Sequence, residues 1–147
     1  MGQIAVIAAP DVGRTVLGSC IGLVLYDPPS KIGAMAHIVL AEKQNRPGPP
    51  GKFADTAVPH MLELLAARGA ARRRLIAKVA GGSAMFSGTG PIQIGEANYR
   101  SVMRLLKDER IRIAGEDIGG PKGRRITFDA ETGRLVVEIV GQDPLVL

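Results

Sequence analysis

The chain has one cysteine, two histidines, no tryptophan and an aromatic content of only 3% in 147 residues. A single cysteine excludes an intramolecular disulfide. Two histidines far apart along the chain give no closed zinc-ligand spacing, so neither a metal site nor a cofactor is expected. If Cys20 has a function, it acts through the reactivity of its sulfur. The scarcity of aromatics leaves a hydrophobic share of 46% to be carried by other side chains. The core is therefore expected to be built from Val, Ile, Leu, Ala and Met. No apolar run approaches the roughly 20 residues of a membrane span. Residues 1–10 lack the basic start and long apolar middle of a secretory leader. The chain is expected to be soluble and cytoplasmic, with no direct membrane insertion.

A chain of this length suits one domain, spanning residues 1–147, that buries roughly two-thirds of the surface its unfolded form exposes. A net charge of +5 and a pI near 9.8 favour an acidic partner surface. However, no aromatics are interleaved with the basic residues. The one dense run, Arg72-Arg73-Arg74, falls in a short helix-to-strand connection and reads as a solvated turn rather than a nucleic-acid contact.

Apolar runs at 3–8, 14–17, 21–26 and 33–40 read as four strands, punctuated by Pro10-Asp11, Gly18-Ser19 and Asp27-Pro28-Pro29. They follow one another too closely to hide crossover helices, so antiparallel neighbours are expected. A polar, proline-rich loop at 42–52 precedes a helix at 53–68, where Ala57, Val58, Met61, Leu62 and Leu65 recur at helical spacing. Thr56 at the N-cap would put Pro59 in the first turn, where its missing donor costs nothing; the alternative is a kink. Gly69 is expected to close the helix.

A strand at 75–80 runs into Gly81-Gly82-Ser83-Ala84-Met85, which matches neither a Walker nor a dinucleotide fingerprint. Such a loop lets backbone approach a substrate or a neighbouring strand. An amphipathic helix at 96–108 and strands at 111–114, 124–128 and 134–140 complete the chain, with a hairpin turn at 129–133. The expected fold class is α/β, a single-domain sandwich of mostly antiparallel sheet with two main helices.

Chemistry concentrates in residues 15–37. Cys20 follows the sharp Gly18-Ser19 break between two apolar runs, and His37 is the one polar side chain of a third. A thiol and an imidazole on neighbouring strands are the minimum equipment for covalent acyl chemistry. The thiolate attacks, and the imidazole takes its proton and later protonates the leaving group. The plainer alternatives are an inert buried thiol and a core histidine. Backbone N–H groups around Ser19 and Cys20 are the obvious donors for an oxyanion. Ser19, Gly81, Gly82 and Ser83 are candidates for contact with substrate or oxyanion. His60 is assigned no role, and helix capping accounts for Asp55 and Thr56.

The stretches LGSCIGLVLYD, KIGAMAHIVL, KFADTAV, KVAGGSAM, IGEANY and EDIGGPKGRRITFDAETGRL occur in one order. Together they resemble the CheD family of chemoreceptor glutamine deamidases over nearly the whole chain. The resemblance implies a fold similar to the catalytic domain of cytotoxic necrotizing factor toxins. It also implies a nucleophile at Cys20, its partner at His37 and a threonine before LGSC as third member. Thr15 is the candidate, although the family pattern places that threonine one residue further from the cysteine, where this chain has Arg14. One step along a strand reverses the face, so Thr15 is expected to need a bulge or turn to point where Cys20 points.

The family motif I-G-x-R-N reads Ile94-Gly95-Glu96-Ala97-Asn98 here, without its arginine. The implied reaction converts glutamines on methyl-accepting chemotaxis receptors to glutamate through a thioester, with release of ammonia. The same machinery would hydrolyse a glutamate methyl ester. The implied partners are receptor cytoplasmic helices and a CheC-type phosphatase. An alternative is an adaptor that docks on both with little catalysis. A basic nucleic-acid-binding domain ranks behind these.

Overall fold

The central strand, Ile21–Asp27 (β3), is buried at every position, which is why its sequence shows an unbroken apolar run instead of a two-residue alternation. A computed structural model describes residues 1–84 and 93–147. Within it, Ile4–Ala8 (β1), Ile32–Ile38 (β4), Ile76–Gly81 (β5) and Arg112–Ile118 (β6) join β3 in a five-stranded sheet of order β1-β4-β3-β5-β6. Val12–Leu17 (β2), Arg124–Asp129 (β7), Leu135–Glu138 (β8) and Leu145–Val146 (β9) form a second sheet of that order. The helices are Ala54–Ala67 (α1) and Ile94–Asp108 (α2). The α/β sandwich of mostly antiparallel sheet is thus as expected. One pair departs, because β5 and β6 run parallel and α2 supplies the crossover that parallel pairing requires.

Each face of the five-stranded sheet has its own core. Ile21, Leu23, Leu25, Ala34, Ala36 and Ile38 pack on the helices. Cys20, Val24, Tyr26, Met35 and Ala80 pack on Leu17, Ile126, Phe128 and Leu135 of the second sheet. The sheets approach closely at Gly22, where an added Cβ would lie 2.5 Å from Ile126 Cδ1. The aliphatic core is as expected except that Phe53 and Phe128 are its largest fully buried side chains.

Two expectations about the early strands and α1 are corrected. The first four strands are not all neighbours, because β2 leaves to pair with β7 in the second sheet while β1 and β3 both flank β4. Its alternation of exposed and inward residues is that of a strand with one face in water. Thr56 is not the N-cap of α1; Phe53 is, with no side-chain cap. The first donors are satisfied at a distance, by Ala54 N–H to Leu40 O at 2.9 Å and Asp55 N–H to Ala41 O at 3.3 Å. The Thr56 hydroxyl donates to Pro50 O at 2.6 Å instead, and Pro59 lies inside the helix. Gly69 does close α1: its N–H bonds Ala66 O and the Ala70 N–H bonds Leu65 O, both at 3.1 Å, the paired bonds of a Schellman ending.

The arginine run is more than a solvated turn. Arg74 binds the fully buried Asp27 through Nε to Oδ1 at 2.9 Å and Nη2 to Oδ2 at 2.8 Å, and Arg72 pairs with Glu109. The Arg74 guanidinium, helped by the Ala71 amide and Ser30 hydroxyl, holds the Asp27 carboxyl down at about 2 against the effect of burial. The stability this carboxylate contributes is present above the ordinary aspartate value near 4 and is lost as pH falls towards about 2. Arg74→Ala is therefore expected to cost about 1–3 kcal/mol at neutral pH in urea denaturation. Its stability should change less than that of the native chain across that acid window, and an unaltered acid limb would contradict the assignment.

Candidate active site

Residues Gly18-Ser19-Cys20 carry the chain from the last residue of β2, in one sheet, to the first of β3, in the other. All three carbonyls of this bend are held from behind. Gly18 O accepts the Ser83 N–H at 3.0 Å and Cys20 O the Gly82 N–H at 2.9 Å, while Ser19 O accepts Asn98 Nδ2 at 3.2 Å. Among the described residues, the Ser19 and Cys20 amides have no acceptor. The bend thus turns its oxygens inward, and among the described residues two of its donors have no acceptor.

The glycines behind the bend are needed for this approach. A Cβ on Gly81, whose φ is +110°, would lie 2.2 Å from Cys20 O. A Cβ on Gly95, in the first turn of α2, would lie 2.5 Å from Gly82 O. Of the two partners expected for the glycine loop, the structure thus shows the neighbouring backbone. Ser83 is 1% exposed, and among the described residues its hydroxyl has no hydrogen-bond partner. Met85 lies outside the described residues.

Cys20 is 9% exposed and lies on the face of its sheet that meets the second sheet. The register pairs Gly22 with His37, which puts His37 on the face of its sheet that meets the second sheet, while Cys20 lies in the bend just before β3 and packs in the core of that same face. The His37 backbone is pinned at both groups, its N–H to Gln3 O at 3.0 Å and its O to the Gly2 N–H at 2.9 Å.

The ring is fixed by Thr15, whose Oγ1 lies 2.7 Å from His37 Nδ1. Arg14 and Val16 are exposed on the outer face of β2, and Thr15 shares the inward side with Leu17. No bulge is needed for Thr15 to reach the ring. The turn that Thr15 was expected to need is the Gly18-Ser19-Cys20 bend, which carries the chain from β2 in one sheet to β3 in the other. Nε2 is the ring nitrogen left for the sulfur, and among the described residues no hydrogen bond joins Sγ to the ring.

Burial pushes the Cys20 thiol above its ordinary value, with the amino-terminal charge acting in the opposite sense. Burial also pushes the His37 imidazole down, and the same charge adds to that effect. Both shifts favour a neutral thiol beside a neutral ring rather than a preformed ion pair. Among the described residues no group of three or more His, Cys, Asp or Glu side chains is placed to hold a metal. Among the described residues no helix is long and apolar enough to cross a membrane.

Two residues add to the sequence reading. Ala97, where the motif arginine is missing, lines an open cleft of about 450 Å³ together with Arg100 and Arg104. Basic groups one and two turns further along α2 thus border the position that lacks one. Asn98 is 1% exposed and donates to Val39 O at 2.8 Å as well as to Ser19 O. The motif contained it, but its burial and double contact were not legible on an amphipathic helix.

Fold and site together define a single-domain α/β sandwich in which a threonine of one sheet hydrogen-bonds a histidine of the other, with the cysteine in the bend that joins the two sheets. The chain belongs to the CheD family: the family profile described as CheD chemotactic sensory transduction matches residues 39–139. Similar proteins extend the match across the strands that precede this span. The chemoreceptor glutamine deamidase CheD of Thermotoga maritima is 43% identical over 142 residues, covering 96% of this chain and 90% of its own. The probable chemoreceptor glutamine deamidase CheD of Methanococcus vannielii is 42% identical over 139 residues, covering 93% and 90%. That of Symbiobacterium thermophilum is 43% identical over 150 residues, covering 97% and 91%.

Two measurements follow from the site. Alkylation of Cys20 by iodoacetamide, followed by mass spectrometry, is expected to accelerate continuously as pH rises beyond about 8.5, the ordinary thiol value; a rate already level below neutrality would contradict the neutral pair. Ser83→Ala removes a buried hydroxyl that has no partner among the described residues; burial of such an unpaired group costs about 1–3 kcal/mol. Its thermal midpoint is expected to equal or exceed that of the native chain, and a clear drop would reveal a partner for the hydroxyl.

Proposed function

We propose that this chain is a cysteine-dependent protein-glutamine deamidase that converts glutamine side chains of chemotaxis receptors to glutamate. The observation that carries the proposal is the Thr15–His37 hydrogen bond, which orients a ring on the face shared with the only cysteine. With Nδ1–H donating to Thr15 Oγ1, Nε2 keeps its lone pair. It takes the Cys20 proton as Sγ attacks the amide carbon of the target glutamine. The amide oxygen becomes an oxyanion and receives the Ser19 and Cys20 N–H groups, which have no acceptor among the described residues. Because the resting pair is neutral, proton transfer accompanies the attack and does not precede it.

The imidazolium returns its proton to the departing nitrogen, which leaves as ammonia, and a thioester remains. Water attacks the thioester, giving its proton to Nε2, and the thiol is restored as glutamate departs. A glutamate methyl ester fits the same sequence with methanol as the leaving group. In this scheme Gly81 and Gly82 act through the shape of the bend. Ser83 supplies a spare buried hydroxyl at its rear.

Ammonia release from a receptor cytoplasmic fragment tests the reading. Cys20→Ala is expected to abolish it, and His37→Gln to lower kcat by about 10²–10⁴-fold. Thr15→Val, which removes one hydrogen bond of about 1 kcal/mol, is expected to cost up to about tenfold. A second reading, docking on receptors and a CheC-type phosphatase without turnover, is favoured by the alanine at position 97. If the native chain and Cys20→Ala bind the fragment alike and neither releases ammonia, the deamidase proposal fails and the docking reading stands.

A further inference from the structure

We propose that Asn98 is a positioning residue whose side-chain amide joins the cysteine bend to the end of the histidine strand where the sheet's own hydrogen bonds stop. The pairing of β3 with β4 ends at Ile21 opposite Ile38. Beyond it, the chain on one side bends away through Cys20 towards the second sheet, while the other side runs on through Val39. Ser19 and Val39 therefore have no ladder between them. The Asn98 amide nitrogen spans the gap, donating to Val39 O at 2.8 Å and to Ser19 O at 3.2 Å.

One of these carbonyls belongs to the residue before Cys20 and the other lies two residues after His37. Both donors of a single amide group thus act on the spacing of the two side chains that must exchange a proton. A buried amide used in this way is restrictive, because loss of either bond leaves a half-buried carbonyl without that partner. The packing of α2 serves this reach. Its first turn lies against Gly82 at Gly95, where any side chain would collide with Gly82 O. In the stretch Ile94-Gly95-Glu96-Ala97-Asn98, the glycine permits the approach and the asparagine uses it. Ser101, one turn on, ties the same helix to Ala41 O at 3.3 Å without touching the bend, and so provides a control for helix anchoring alone.

The inference rests on the deamidase reading for its kinetic test and is independent of it for a second. Asn98→Asp has nearly the same shape but turns acceptor oxygens towards two carbonyls; Asn98→Ser keeps one donor and serves if the aspartate variant does not fold. In ammonia release, the Asn98 variants are expected to lose at least about tenfold in kcat with KM within about twofold, the pattern of an effect felt after substrate is bound. Ser101→Ala should stay within about twofold in both. In iodoacetamide labelling, which needs no substrate, the same Asn98 variants should change the Cys20 rate by at least about threefold, and Ser101→Ala should not.

An Asn98 variant that folds and keeps both kcat and labelling rate overturns the inference. So does a Ser101→Ala that loses as much as the Asn98 variants. A native chain without ammonia release, but with the expected labelling pattern, overturns the deamidase reading and leaves the role of Asn98 in place.

Discussion

The capture of three consecutive carbonyls is the constraint on which the rest of this site depends. A chain that passes from one sheet to another must leave both hydrogen-bond ladders, and its peptide groups then need other partners or water. Here the oxygens of Gly18, Ser19 and Cys20 are taken by Ser83 N–H, the Asn98 amide and Gly82 N–H. Each captured oxygen turns its peptide plane, and the amides of Ser19 and Cys20 are left without acceptors among the described residues. The polarity of the bend is therefore a consequence of what stands behind it. A glycine pair and a helix whose first turn contains glycine are the means of bringing enough backbone close.

The second constraint is the sandwich itself. The five-stranded sheet is covered on one face by helices and on the other by a sheet, so its central strand is buried at every position. A polar ring in that interior needs a fixed partner, and the facing sheet provides it in Thr15. Two strands that are not hydrogen-bonded to each other thus meet through a threonine and a histidine. Burial moves the thiol up and the imidazole down, so each favours its neutral form.

Membership of the CheD family and the 42–43% identities to chemoreceptor glutamine deamidases agree with this picture without supplying its geometry. The profile match begins at Val39, after both Cys20 and His37. Those two residues are covered by the pairwise likenesses. The departures at Arg14 and Ala97 also become concrete in the fold. The first puts an arginine on the outer face of β2, with the neighbouring threonine turned inward. The second leaves a cleft bordered by Arg100 and Arg104.

Local chemistry was enough to read the strands and helices, because apolar runs, a Gly-Ser break, Asp-Pro-Pro and Gly69 act on neighbouring residues. It also singled out Cys20 and His37, the one thiol and the one ring within apolar runs. Which strand sits in which sheet was not legible. A strand's pattern records whether its faces are wet or dry, and says nothing of which partner makes them dry. The Thr15 parity argument left a bulge or a turn open, and only the fold showed that it is a turn, the bend that puts β2 opposite β3 and β4. The start of α1 escaped for a related reason, since its donors are met by Leu40 and Ala41 and not by a nearby side chain. Asn98 and the Asp27–Arg74 pair escaped because a polar residue on a helix or at a strand end looks solvated until the chain folds over it. The sequence by itself determined the elements and the reactive residue types; the tertiary structure alone decided their partners, since those bonds join segments whose proximity exists only after both sheets have closed.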